Sequence, residues 1–120
     1  MNQPLKISLN SQNLFKLKDL TVKISELPPF FDGNAEVHFN FNDLYMVISG
    51  KATVVVGEKF IGGEEIEAGE IRNCIIETPV EYNLKSGDIF FIPGGFAHKL
   101  KIGADKFVQY VIKIPHEEGI

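Results

Sequence analysis

The chain holds one cysteine, Cys74, and no tryptophan. One thiol cannot close an intramolecular disulfide, so nothing argues for a disulfide-stapled secreted scaffold. No apolar run approaches the ~20 residues of a membrane span. The N-terminal MNQPLKISLNSQNL lacks the basic region and long apolar stretch of a signal peptide. A soluble, cytoplasmic protein is therefore expected. Basic clusters are missing too: the longest is K-L-K at Lys16 to Lys18, and the formal charge is −4. Phosphate recognition needs a concentrated basic face, so nucleic acid is disfavoured as a partner. There is no Walker loop or dinucleotide fingerprint, and Gly62-Gly63 alone is a turn signal.

Helical periodicity is almost as scarce. Apolar residues alternate or run in short blocks bounded by Gly, Pro, Asn and Asp, which is the pattern of strands. About nine strands are predicted, over 20–24, 36–41, 44–48, 52–56, 71–77, 80–84, 88–92, 99–102 and 107–114. Short strands at this spacing suggest one all-β domain, a barrel or a sandwich. Ser49-Gly50-Lys51 and Lys85-Ser86-Gly87-Asp88 read as tight hairpin turns. Pro28-Pro29 marks a linker or crossing, because proline cannot sit inside a sheet. The glutamate-rich stretch 57–69 reads as a loop or exposed hairpin, and 116–120 as a frayed tail.

Side chains alternate between the two faces of a strand. In E-V-H-F-N-F this puts Val37, Phe39 and Phe41 on one face, and His38 and Asn40 on the other. The polar pair then faces either solvent or a lined cavity. His98 shares a face with Leu100 and Ile102, opposite Lys99 and Lys101, so it looks inward as a ligand or as a hydrogen-bonded core histidine. Asp43 opens an apolar strand, as a turn residue or as a carboxylate at a cavity mouth. Tyr45 follows it on the same face, either as a cavity hydroxyl or as a core tyrosine. Arg72 is the only arginine. It either clamps an anion in two-pronged fashion or pairs with Glu67, Glu70 and Glu77. Cys74, in N-C-I-I, reads as a packed core thiol.

The stretch GDIFFIPGGFAH fits the second cupin motif, G-x5-P-x-G-x2-H, at Gly87, Pro93, Gly95 and His98. The asparagine that often ends that motif is replaced by Ile102. The first cupin motif, G-x5-H-x-H-x3-4-E-x6-G, is met imperfectly by Gly33, His38, Asn40, Asp43 and Gly50. His38 takes the first histidine place, Asn40 replaces the second histidine, and the loop to Asp43 is short. The chain thus resembles small single-domain cupins over Gly33 to Ile114, with residues 1–30 as additional N-terminal strands.

That resemblance implies a conical β-barrel of jelly-roll type, often a homodimer, with a divalent metal in its cavity. His38, Asp43 and His98 would be the ligands, with Asn40 as an optional weak fourth, and Tyr45 and Arg72 would face a small polar or anionic molecule. Two histidines and a carboxylate bind one side of an octahedral ion and leave positions open; Fe, Mn, Zn and Ni all suit such donors. The resemblance implies an isomerase, dioxygenase or decarboxylase type of enzyme, while the eroded first motif suits a non-catalytic ligand-binding or sensor barrel. The dimer contact is expected at the strands before Pro28 and at V-Q-Y-V-I-K-I, residues 108–114.

Overall fold

The computed structural model describes residues 3–116, and among them there is no helix, so none that is long and apolar enough to cross a membrane. The described residues form twelve strands. They are β1 (Leu14–Leu17), β2 (Leu20–Leu27), β3 (Ala35–His38), β4 (Phe41–Ser49), β5 (Lys51–Gly57) and β6 (Lys59–Ile61). There follow β7 (Glu64–Glu67), β8 (Glu70–Glu77), β9 (Val80–Lys85), β10 (Ile89–Ile92), β11 (Ala97–Ile102) and β12 (Phe107–Pro115). One sheet has the order β1-β2-β12-β4-β10. The other has the order β6-β8-β3-β11-β5-β9, with β7 also paired to β8.

The two predicted hairpins are not hairpins. Gly50 joins β4 to β5, and Ser86-Gly87 joins β9 to β10, yet in each case the two strands lie in different sheets. Turn chemistry is legible in sequence, but the strand that pairs across the turn is not. These turns carry the chain from sheet to sheet, as Pro28-Pro29 does between β2 and β3. Gly50 is at φ +83°, and a Cβ there would lie 2.3 Å from the Lys106 carbonyl oxygen, so the crossing needs glycine for both reasons.

Of the two readings of the glutamate-rich stretch, the exposed hairpin is the one found: β7 turns back along β8 at Ala68-Gly69, and β6, before Gly62-Gly63, also runs along β8. A further prediction changes: the stretch E-V-H-F-N-F is not one strand, because the chain bends at Phe39-Asn40 between β3 and β4. Val37 is buried on one face of β3, but Phe39 is exposed and does not join it. In the C-terminal stretch, His116 is anchored, its amide donating to the Asn40 carbonyl and its Nδ1 lying 2.9 Å from Asn42 Oδ1. Residues 117–120 lie outside the described residues.

The core lies between the sheets. Val47, Val54, Leu84, Ile102, Phe107 and Val111 pack together there. A smaller cluster joins Ala35, Val37, Cys74 and Ala97, covered by Phe60 and Ile76. Cys74 is thus a packed thiol, which burial pushes up in pKa. Across β2, β12 and β4 the register aligns three inward rows: Thr21–Lys113–Asp43, Lys23–Val111–Tyr45 and Ser25–Gln109–Val47. In the facing sheet, Arg72, Glu36 and His98 form one row across β8, β3 and β11. These facing rows build the site.

Candidate metal centre

Glu36 and His38 lie two residues apart on β3, so alternation sends both side chains inward. His98 enters from β11 and Asp43 from β4 of the opposite sheet. His38 Nε2 is 3.3 Å from Glu36 Oε1 and 3.4 Å from Asp43 Oδ2. His98 Nε2 is 3.5 Å from each of the same two oxygens. Donor atoms of Glu36, His38 and His98 fall within 4.8 Å of one another, a spacing that could hold a metal ion. Four groups from three strands therefore converge on one point.

The turn in P-G-G-F sets this geometry. Gly95, at φ +90°, donates its amide to the His38 carbonyl at 2.8 Å. The Gly94 amide donates to Asn42 Oδ1 at 2.7 Å. The link between β10 and β11 is thus fastened to the β3–β4 bend, and His98 arrives beside His38 with ring centroids 5.1 Å apart.

Each donor is held by a partner behind it. His38 Nδ1 is 2.7 Å from Glu70 Oε1, and His98 Nδ1 is 3.1 Å from the Phe96 carbonyl oxygen. Donation from Nδ1 leaves each Nε2 to face the centre, the arrangement a metal-binding imidazole requires. Both Nε2 atoms are buried and make no well-aligned hydrogen bond. Each nitrogen instead lies 3.3–3.5 Å from carboxylate oxygens of Glu36 and Asp43, and two imidazoles and two carboxylates converging on one point are a donor set that fits a cation. Arg72 supports Glu36 through Nε at 3.3 Å and Glu70 through Nη2 at 3.0 Å. Lys113 Nζ donates to Asp43 Oδ1 at 3.1 Å and lies over the Phe41 ring.

Electrostatics in the metal-free chain follow. Burial pushes the His38 imidazole down, but Asp43 and Glu36 outweigh burial and raise it from 6.5 to about 9. His98 is raised by the same two carboxylates against the same burial. Burial pushes Glu36 and Asp43 up, but the two imidazoles outweigh it and hold both well below the carboxylate range. A raised histidine stabilises fully below its unfolded value, and that contribution is lost as pH climbs through the folded value. A depressed carboxylate contributes above its unfolded value and loses that contribution in acid. The chelator-treated chain is thus expected to be most stable near pH 5–6.5 and to weaken steadily from 6.5 to 9, as read by urea unfolding across pH. Flat stability over that alkaline window would contradict this charge assignment.

The residues singled out from sequence divide. His38, Asp43 and His98 meet within 3.5 Å contacts. Asn40 does not join them: it is exposed, and its amide donates to the Ala68 carbonyl oxygen. Tyr45 is buried and lines the adjacent cavity. Burial, with Asp43 and Glu36, pushes its hydroxyl well up in pKa, so it remains a neutral donor. Arg72 also lines the cavity but is committed to Glu36, Glu70 and the Ile71 carbonyl.

Glu36 escaped the sequence reading, although the signal was present. With Glu36 at the first histidine place of the first motif, His38 takes the second, Asp43 falls four intervening residues later, and Gly50 keeps its gap. The glycine place then falls on Phe30 instead of Gly33, and Phe30 has the left-handed φ of +62° that glycine favours. The motif is intact in spacing, with phenylalanine for the first glycine, glutamate for the first histidine and aspartate for the glutamate. Glu70 was missed as the residue that orients His38, because only folding brings β8 beside β3.

No protein-family model matches the sequence, and no curated protein matches it. Solved structures do match. A Bacillus halodurans protein is 17% identical, with a TM-score of 0.61 over 82% of this chain and 64% of its own. A Klebsiella pneumoniae protein with a double-stranded β-helix domain is 20% identical, with a TM-score of 0.60 over 88% and 76%. An oxalate oxidase is 17% identical, with a TM-score of 0.58 over 84% of this chain and 44% of its own. The chain thus spans under two thirds of the length of the Bacillus protein and under half that of the oxidase. Twelve strands in two curled antiparallel sheets, matched to these neighbours, give this chain the cupin, or double-stranded β-helix, fold.

Proposed function

We propose that this barrel binds a divalent transition metal through Glu36, His38, Asp43 and His98, and takes a small polar or anionic molecule in the cavity beside it. The observation that carries the reading is the convergence of two buried Nε2 atoms and two carboxylates on one point, at 3.3–3.5 Å and without an aligned hydrogen bond to either nitrogen. Imidazole and carboxylate donors together suit Fe, Mn, Zn or Ni. When bound, such an ion supplies Lewis acidity to a ligand oxygen. The chain's own residues do the rest. Glu70 and the Phe96 carbonyl fix the imidazoles, Arg72 and Lys113 steady the carboxylates, and Tyr45 offers a neutral hydroxyl to the cavity. The cavity measures about 410 Å³, within the range of small-ligand sites. An oxalate oxidase shares the fold, which favours an isomerase, dioxygenase or decarboxylase type of chemistry without fixing it.

Metal analysis of tag-free protein tests the proposal. About one equivalent of one of the four metals is expected after reconstitution. Less than roughly a tenth of an equivalent of each would refute it. One observation favours a second reading: without metal the four groups form ion pairs at 3.3–3.5 Å and balance their own charge. In that reading the barrel is a non-catalytic binder, and ligand affinity is indifferent to chelators.

The proposed homodimer draws support from the outer face of the first sheet, where Met46, Ile48, Ile89 and Phe91 are exposed together on β4 and β10. Sedimentation at tens of micromolar should give twice the mass of 13.4 kDa. Monomer alone would remove this part of the proposal.

A further inference from the structure

Four cations line the cavity: Lys23, Arg72, Lys99 and Lys113. Three are already matched. Arg72 holds Glu36 and Glu70, Lys99 holds Asp32, and Lys113 holds Asp43. Lys23 is the exception: among the described residues, no carboxylate lies within 4 Å of its ammonium. It projects from β2 into the row shared with Val111 and Tyr45, half-buried. Burial and the neighbouring Lys113 lower its pKa and outweigh the more distant Glu36 and Asp43, which raise it.

The next inward row holds a second unmet group. Gln109 is 1% exposed, and its Oε1 is buried without a hydrogen-bond partner while the residue lines the same cavity. Ser25 lies directly across from it on β2, also at the cavity. A cation lacking an anion and an acceptor lacking a donor therefore sit on adjacent rows of one wall, opposite the Glu36–His98 row. Leu27, Phe31, Leu100 and Val111 supply apolar lining to the same cavity.

We propose that this wall is a recognition subsite for a small hydroxycarboxylate, with its carboxylate on Lys23 and its hydroxyl donating to Gln109 Oε1. The inference rests on the reading of this cavity as the ligand chamber. A neutral hydroxyl suits Gln109 better than an ammonium group, which Lys23 and Lys113 would repel. The subsite is complementary in the sense that matters for selectivity: an analogue without the hydroxyl leaves a buried acceptor unpaired, and one without the carboxylate leaves a cation unpaired.

The test titrates lactate, malate and 3-phenyllactate, each beside its deoxy analogue (propanoate, succinate and 3-phenylpropanoate), into metal-stripped and Zn(II)-loaded full chain by NMR. At least one hydroxy acid should saturate below ~10 mM. Lys23→Gln should weaken it about ten- to hundred-fold, as expected for a lost charged hydrogen bond. Lys23→Arg should restore most of the affinity. Gln109→Leu should weaken the hydroxy acid about fivefold or more and leave the deoxy analogue unchanged. No saturable hydroxy acid, deoxy analogues binding equally well, or full affinity in Lys23→Gln each overturns the proposal. Metal content measured on the same samples separates the two ideas. Lys23-dependent binding without metal uptake sinks only the metal reading; metal uptake without Lys23 dependence sinks only this one.

Discussion

Replacing His98 by alanine is expected to lower the affinity of the chain for a divalent metal by more than about 100-fold. Removing even a partner that orients a ligand costs roughly 10–100-fold, so removing the ligand itself costs more. His98 is 2% exposed, and its Nε2 is one of the two unpartnered nitrogens at the centre. Alanine leaves Glu36 and Asp43 facing one imidazole instead of two. Glu70→Gln is the finer probe. It keeps the shape beside His38 Nδ1 but removes the carboxylate, and it should cost about 10–100-fold. Asn40→Ala should leave metal affinity unchanged, since that side chain faces Ala68. Competition against a chromophoric chelator reads all three. Unaltered affinity in His98→Ala, with circular dichroism showing a folded chain, would move the metal elsewhere.

Phe107→Ala carries the largest expected loss of stability. Phe107 is 0% exposed and is among the largest fully buried side chains. It starts β12 and belongs to a buried cluster drawn from strands of both sheets. Truncating a buried phenylalanine costs about 3–5 kcal/mol. Total stability for a domain of this size is on the order of 5–15 kcal/mol, so much of it would go. The melting temperature should fall by roughly 10–20 °C, and the urea midpoint should fall with an unchanged slope. A shift under about 3 °C would mean that this end of the barrel is less tightly packed than its burial indicates.

Several elements could be read directly from the chain. The block at 20–24 became a strand by its alternation, and those at 52–56 and 107–114 by short β-branched and aromatic apolar runs. His98 could be placed inward because Lys99 and Lys101 need water on the other face. Asp43 could be marked from its place at the start of an apolar strand. The bend at Phe39-Asn40 was hidden, because E-V-H-F-N-F alternates perfectly and nothing local says that the pleat breaks. That hidden bend is why Asn40 was grouped with His38; Glu36 was passed over because His38 was set in the first histidine place of the motif instead of the second.

With the cupin resemblance offering His38, Asp43 and His98 as donors, the sequence's own pattern determined the all-β class and the sites of chain reversal. These depend on alternation and turn chemistry, which act over a few residues. Tertiary structure alone decided which strands pair across each turn. It also decided that Arg72 is spent on Glu36 and Glu70, while Lys23 and Gln109 are left unmatched. The physical reason is that pairing and charge matching are settled between strands tens of residues apart. A side chain's partner there is fixed by sheet register and not by its neighbours in the chain.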